Sequence, residues 1–218
     1  MKKYLISIII IMFCLANNSL RSQEVTPRGW LLKYDVISLL GDQVSSSMGV
    51  RLGVEFMTGR DQSLSADIMY IFPCTSCGEA YTRIETEKTV GFLISADYSF
   101  YLITGKQAFS GFHLGPRLAY QFTQADMYET YQNGIPNTYQ VYRNMIAAHA
   151  MAGYQIRIAG PLYFDPALGF GFRFISSRNE NKMGDDPGQH EFIYNKDYES
   201  GAQFFPSFDI SIKIGLKL

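Results

Sequence analysis

The chain has 218 residues, with 19 Lys and Arg against 20 Asp and Glu, so its formal charge of −1 leaves no basic excess for binding a nucleic-acid backbone. Aromatic residues make up 15% of the chain, and 19 residues are Gly. This composition is too apolar for a disordered chain and richer in Tyr, Phe and Gly than is usual for a helical protein, so it favours β-strands. The length suits a single domain.

The N-terminus has the three regions of a bacterial secretory signal peptide. Lys2 and Lys3 precede an apolar run over residues 4–16, and a polar stretch follows. The run is shorter than the roughly 20 residues that a membrane-spanning helix needs. We therefore predict an exported chain with a signal peptide over residues 1–22 and one domain over residues 23–218.

Eight later segments alternate apolar and polar residues with period two, which is the pattern of a β-strand with one apolar face. In the first segment, Leu32 and Tyr34 share one side while Lys33 and Asp35 take the other. No later stretch approaches 18 consecutive apolar residues, which excludes a helical membrane protein. The predicted strands are Trp30–Val36, Met48–Phe56, Leu64–Phe72, Val90–Phe100, Phe112–Phe122, Ile146–Ile156, Phe164–Phe174 and Phe204–Leu218.

The connections between these strands alternate in length. Apart from a connection of about six residues near Gly41, short turns at 58–62, 104–110 and 159–161 alternate with long loops at Pro73–Lys88, Gln124–Gln140 and Ser176–Ala202. Outer-membrane barrels have an even number of strands, short periplasmic turns and longer outer loops. We therefore predict an all-β fold, an eight-stranded antiparallel transmembrane β-barrel with up-and-down meander topology.

The apolar face of these strands is predicted to point outward, towards lipid. A soluble lipocalin-like barrel would instead place that face inside. The interior of eight strands is just wide enough for side chains to fill, so the many Phe, Tyr, Ile and Leu residues do not fit there. Nine glycines lie on the polar face, where they make room in a crowded lumen.

The charges on the polar face are nearly balanced in sign. An unpaired charge in a narrow lumen costs several kcal/mol, so we predict an ion-pair network that plugs the lumen. A thin water path along the Gly and Ser rows is the alternative, and it would make the lumen a narrow conduit. The predicted network comprises Lys33, Asp35, Arg51, Glu55, Asp67, Asp97, Arg117, Arg157, Asp165, Arg173, Asp209 and Lys213, with Arg143 on the same face.

From Trp30 to Leu218 the chain resembles the small eight-stranded outer-membrane barrels of the OmpA/OmpX type. The most specific element is the C-terminal segment Phe208–Leu218, which is similar to the terminal strand that the barrel-assembly machinery reads. In that segment Ile214, Leu216 and Leu218 form the implied assembly signal, although such signals often end in Phe. The resemblance implies no catalytic residues.

Few other residues are candidates for a disulfide, a metal site or a catalytic site. Cys74 and Cys77 lie in a predicted outer loop of an exported chain, and a local disulfide is the simplest interpretation. One CxxC supplies only two of the four ligands of structural zinc, so we predict no metal site and no cofactor. His113 and His149 are predicted to be luminal, and spacing alone does not reveal the oriented base of a hydrolase.

These observations predict a location in the outer membrane of a Gram-negative bacterium. We expect a structural or adhesive role through the three long loops, because binding residues concentrate in loops on a rigid scaffold. The expected partners are outer-membrane lipid, the barrel-assembly machinery and an extracellular ligand or surface, without nucleic acid. The alternatives are a narrow channel or uptake route for small molecules and, further off, a lipid-modifying enzyme.

Overall fold

The computed structural model describes residues 29–39, 47–73, 84–104, 109–130, 135–182 and 201–218. Within them, no helix is long and apolar enough to cross a membrane. The prediction of an all-β fold with eight antiparallel strands is confirmed, whereas the predicted signal peptide lies outside the described residues. The elements are β1 (Trp30–Asp35), a 3-10 turn (Ile37–Leu39), β2 (Ser47–Met57), β3 (Gln62–Pro73), β4 (Ile84–Thr104), β5 (Gly111–Thr130), β6 (Pro136–Ala159), β7 (Leu162–Glu180) and β8 (Gly201–Lys217).

The strands close into a ring. Each strand pairs antiparallel with the next, and β1 also pairs with β8. When the cross-strand pairs are followed from Lys33 through β2 to β7, they lead to Phe205 on β8. In the other direction around the ring, Lys33 pairs directly with Gly215 on β8, ten residues later in the chain. This stagger of ten residues over eight strands corresponds to a strand tilt of about 40° from the axis of the ring.

The two ends of the ring differ. We call the end near Trp30 and Lys217 the terminal end, and the opposite end the far end. Three of the strand connections turn at the terminal end, and β6 to β7 turns within two residues there. At the far end, β4 to β7 extend beyond β3 and β8. The part of β4 before Gly91 pairs only with β5, and the part of β7 after Ser177 pairs only with β6.

This extension corrects the predicted loops. The prediction of a loop over residues 124–140 is wrong, because β5 runs to Thr130 and β6 begins at Pro136, with every residue between Gly111 and Thr130 paired to β6. The loops predicted at 73–88 and 176–202 are also too long, since β4 begins at Ile84 and β7 ends at Glu180. A buried apolar cluster stabilises the extended β5–β6 hairpin, and it consists of Ala125, Tyr139 and Val141.

A close backbone contact between β4 and β5 requires a glycine. A Cβ atom at Gly115 would overlap the backbone carbonyl of Tyr98 and crowd the backbone of Ser99. The adjacent Pro116 has no N–H to donate, and the β4–β5 pairing is interrupted at these positions. The two strands can therefore approach each other closely at this point.

We expect Gly115→Ala to lower the free energy of unfolding by about 1 to 3 kcal/mol, because backbone atoms cannot move aside as a flexible side chain can. Denaturant unfolding followed by the fluorescence of Trp30, the only tryptophan, measures this. Gly59→Ala is the matched control, since its Cβ would meet only ordinary contacts to Gln62. Equal unfolding free energies for the two variants would refute the close-contact argument.

Candidate functional site

The centre of the lumen holds an arginine shared by two carboxylates. Arg117 on β5 donates from Nε and Nη2 to the two oxygens of Asp97 on β4, at 2.5 and 2.8 Å. Its Nη1 also donates to Asp209 on β8, at 2.6 Å. The Arg117 side chain is 3% exposed, so this bidentate pair is desolvated and geometrically well defined. It ties strands from opposite halves of the ring.

A second set of charges adjoins this arginine. Lys213 Nζ lies 2.7 Å from Asp67 and 3.5 Å from Asp97, which links the two sets. Arg51 donates to Asp67 and to Ser95 at 2.9 and 2.8 Å, and its Nη1 lies 3.6 Å from Asp35. All these charged residues are buried.

A third set lies nearer the terminal end. Lys33 Nζ contacts Glu55 and Asp165, both at 2.6 Å, and also donates to Gln155 at 2.8 Å. His113 Nε2 lies 2.9 Å from Asp165. The Glu55 carboxylate accepts further hydrogen bonds from two hydroxyl groups, those of Ser63 and Tyr101. These contacts satisfy most of the buried oxygens, which is the condition for keeping charges inside a protein.

A small cavity of about 20 Å³ lies among these charges. Its lining includes Lys33, Asp165 and His113 from the third set and Asp97 and Lys213 from the other two. Ser211 also lines it, is 1% exposed and makes no side-chain hydrogen bond within the described part of the chain. The size and polarity of the cavity suit one water molecule.

An apolar cap closes the lumen at the terminal end. Phe109, from the connection between β4 and β5, is 1% exposed and packs on Tyr163 with ring centroids 6.4 Å apart. Its φ of 58° is uncommon for a residue with a side chain, so the turn is held in a strained conformation that directs Phe109 inward. The cap consists of Leu31, Met57, Tyr101, Phe109 and Tyr163.

The structure brings together ten of the twelve residues predicted for the network, in the three sets above. Arg157 is not in these three sets. It is exposed at the terminal end and donates to the backbone carbonyl of Gly160. Arg173 also lies apart, over the Phe205 ring at 5.8 Å. No group of three or more His, Cys, Asp or Glu side chains in the described ranges has metal-binding geometry.

Sequence analysis missed the neutral members of the network. Gln155 lies on the predicted inward face of its strand but carries no charge, and Tyr101 follows the predicted strand end at Phe100, so neither was included in a network defined by charged residues. The structure places both beside Glu55 and Lys33. The predicted disulfide partners Cys74 and Cys77 lie outside the described residues, while Ile214, Leu216 and Leu218 are exposed on the outer surface.

The outer surface of the ring carries a continuous apolar band. On β5, β6 and β7 every outward residue is apolar or aromatic over Phe112–Phe122, Ile146–Ile156 and Phe164–Phe174, and the next outward residues are Gln124, Asn144 and Ser176. Leu118 is 53% exposed and Ile146 is 57% exposed. Ten residues at about 3.3 Å each, tilted by about 40°, rise about 25 Å along the axis.

Beyond the band, at the far end, the outer surface becomes polar. Gln140 donates to Asp126 at 3.0 Å and accepts from the Tyr142 hydroxyl at 2.9 Å. Arg178 lies over the Tyr142 ring and donates to Glu180. The extended part of β5, β6 and β7 therefore has an outer face suited to water rather than hydrocarbon.

The geometry defines the chain as an all-β protein whose eight antiparallel strands close into a ring, with an ionic interior and an apolar exterior. Comparison with protein-family models finds no match, and comparisons with curated proteins and with solved structures find none either.

Proposed function

We propose that this chain is an integral outer-membrane β-barrel of the OmpA/OmpX-like type, exported by a signal peptide, with a plugged lumen. Its function is structural or adhesive and is exerted at the cell surface by the far end and its loops. The observation that carries this proposal is the inverted arrangement of the ring, with apolar side chains outside and paired charges inside.

The dimensions of the outer band support membrane insertion. Its height of about 25 Å is that of the apolar band of outer-membrane barrels. Aromatic residues occur at both borders of the band, with Phe112 and Phe164 at one and Phe122 and Phe174 at the other. Aromatic rings of this kind suit the two interfaces of a membrane.

The interior supports a plugged lumen rather than a channel. The cap around Phe109 and the ion pairs of Arg117 and Lys33 occlude successive levels of the lumen with buried side chains. A conducting path would have to desolvate an ion beside these groups or break buried ion pairs, and each break costs several kcal/mol.

The far end supports a surface role. In the proposed orientation it faces outward, and β6 from Pro136 to Asn144 stands about 20 Å above the apolar band. A sheet that extends beyond the apolar band and carries polar side chains on its outer face suits contact with an extracellular ligand or surface.

Fractionation and electrophoresis test the membrane proposal. We expect the protein in the washed outer-membrane fraction, and we expect unboiled and boiled samples to migrate differently in detergent gels, because the closed sheet resists unfolding until heated. In planar bilayers we expect no stable open level. A soluble periplasmic protein without the shift would overturn membrane insertion, and a stable conductance would favour the channel alternative.

A charge placed on the outer band gives an independent test. We expect Leu118→Arg to lower the free energy of unfolding from lipid vesicles by about 2 to 4 kcal/mol, since Leu118 lies near the middle of the band. Thr138→Arg, on the outer face of the extension, is the control and should cost less than about 0.5 kcal/mol. Equal tolerance of both arginines would mean that the band faces water.

A further inference from the structure

The cavity among the ion pairs has small residues on several of the strands around it. The interior of an eight-stranded ring is just wide enough for side chains to fill, so short side chains at one level leave space. The small residues that line the cavity come from five different strands, and they are Ser65, Ser99, Gly115, Ala167 and Ser211. The space therefore depends on residues that only the closed ring brings together.

The Ser211 hydroxyl is a buried polar group without a protein partner. Ser211 is 1% exposed, and its Oγ makes no hydrogen bond in the described part of the chain. Its inward neighbours on β8, Asp209 and Lys213, bind other members of the network. A buried hydroxyl that stays unsatisfied lowers stability, so such groups are bonded to protein or to ordered water in most folded proteins. Since Ser211 lines the cavity, a molecule inside the cavity is the available partner.

The cavity also lies beside the interruption in the pairing of β4 with β5. The ladder pairs Asp97 with Arg117 and resumes at Phe100. In the interval, Pro116 has no N–H to donate to the ladder. Backbone groups that leave a ladder need another partner, and ordered water is one that proteins use. All four residues of the interval line the cavity, namely Tyr98, Ser99, Gly115 and Pro116.

The charges around the cavity balance, which favours a neutral occupant. A cation in the cavity would lie close to Lys33 or Lys213, and an anion would lie close to Asp97 or Asp165, so an ion of either sign meets a like charge. The volume of about 20 Å³ exceeds the roughly 10 to 15 Å³ that one water needs. Among the described residues, the Lys, Arg, Asp and Glu side chains of the lining are Lys33, Arg117, Lys213, Glu55, Asp97 and Asp165.

We propose that the cavity is a binding site for one long-lived water molecule, with the Ser211 hydroxyl as its anchoring ligand. The match in size shows that a water fits, whereas the unsatisfied Ser211 hydroxyl and the interrupted ladder give that water a structural role. Asp97 and Asp165, which belong to different sets of ion pairs, offer carboxylate oxygens to its two hydrogens. The water thereby links the sets into one network, and Ser211 acts as a binding residue of the plug although it carries no charge.

The sign of the stability change in Ser211→Ala tests the proposal. With a bound water, the substitution removes one of its hydrogen bonds, so we expect the folding equilibrium constant to fall about fivefold. Without a bound water, the same substitution removes an unsatisfied hydroxyl and raises that constant. Denaturant unfolding of the refolded full chain measures it. Ser176→Ala, an exposed outward serine on β7, is the matched control and should change the constant less than about twofold.

A crystal structure of the unmodified full chain, at a resolution that shows ordered water, tests occupancy directly. We expect one water in the cavity at hydrogen-bond distance from Ser211 Oγ. An empty cavity, an ion in place of the water, or an equilibrium constant that is unchanged or raised in Ser211→Ala would overturn the proposal. Both measurements concern only the interior of the ring. Their failure is therefore distinct from a failure of membrane fractionation or heat-dependent migration, and it leaves the proposed function intact.

Discussion

Arg117→Met is expected to destabilise the protein by about 3 to 5 kcal/mol. The substitution leaves the carboxylates of Asp97 and Asp209 without their guanidinium partner, and an uncompensated buried charge is far more costly than a missing surface contact. Lys213, 3.5 Å from Asp97, compensates only in part. The measurement is the denaturant midpoint and slope for protein folded in lipid vesicles, read from Trp30 fluorescence.

Arg178→Met is the matched control for this prediction. Arg178 also contacts a carboxylate, that of Glu180 at 2.6 Å, but its side chain is 72% exposed, so we expect a loss of less than about 1 kcal/mol. Adding Asp97→Asn to Arg117→Met should restore part of the stability, because it removes one of the stranded charges. Similar losses for the two arginine variants would show that the luminal pair is hydrated and does not plug the lumen.

Phe109→Ala is expected to cost about 3 to 5 kcal/mol, the usual range for removing a fully buried ring. The substitution would leave a cavity beside Tyr163 and Gly29. The edge of the Phe109 ring lies against Gly29, since a Cβ atom at that position would be 3.0 Å from Phe109 Cε2. The free energy of unfolding in lipid vesicles measures this loss of stability as well.

Phe109→Leu separates packing from turn conformation. Leu keeps most of the apolar volume and has the same unfavourable φ, so it should cost less than about 1.5 kcal/mol. We also expect neither variant to conduct in planar bilayers, because the ion pairs of Lys33 and Arg117 still occlude the lumen above the cap. A stable open level in Phe109→Ala would contradict this and make the cap the sole barrier. An alanine variant as stable as the leucine variant would mean that packing of the Phe109 ring contributes little to stability.

The alternation of apolar and polar residues was sufficient to predict the strands and the two faces of each strand. Alternation places Lys33 and Asp67 on one side of their strands and Leu32 and Ile68 on the other, because successive side chains of an extended chain point in opposite directions. For this reason the charged residues predicted for the luminal network lie on the inward face, and ten of the twelve belong to the three sets of ion pairs. The far-end extension escaped prediction because polar residues occupy its outer face and weaken the contrast between the two faces.

The sequence by itself determined that this chain forms eight amphipathic strands and which residues face the interior, since both follow from local periodicity. Only the tertiary structure decided which charges meet. The stagger of ten residues brings Arg117 on β5 to Asp209 on β8, 92 positions later, and leaves Arg157 exposed at the terminal end. Pairing across a closed sheet depends on the register of every strand around the ring, and register is a property of the closed structure that no single segment contains.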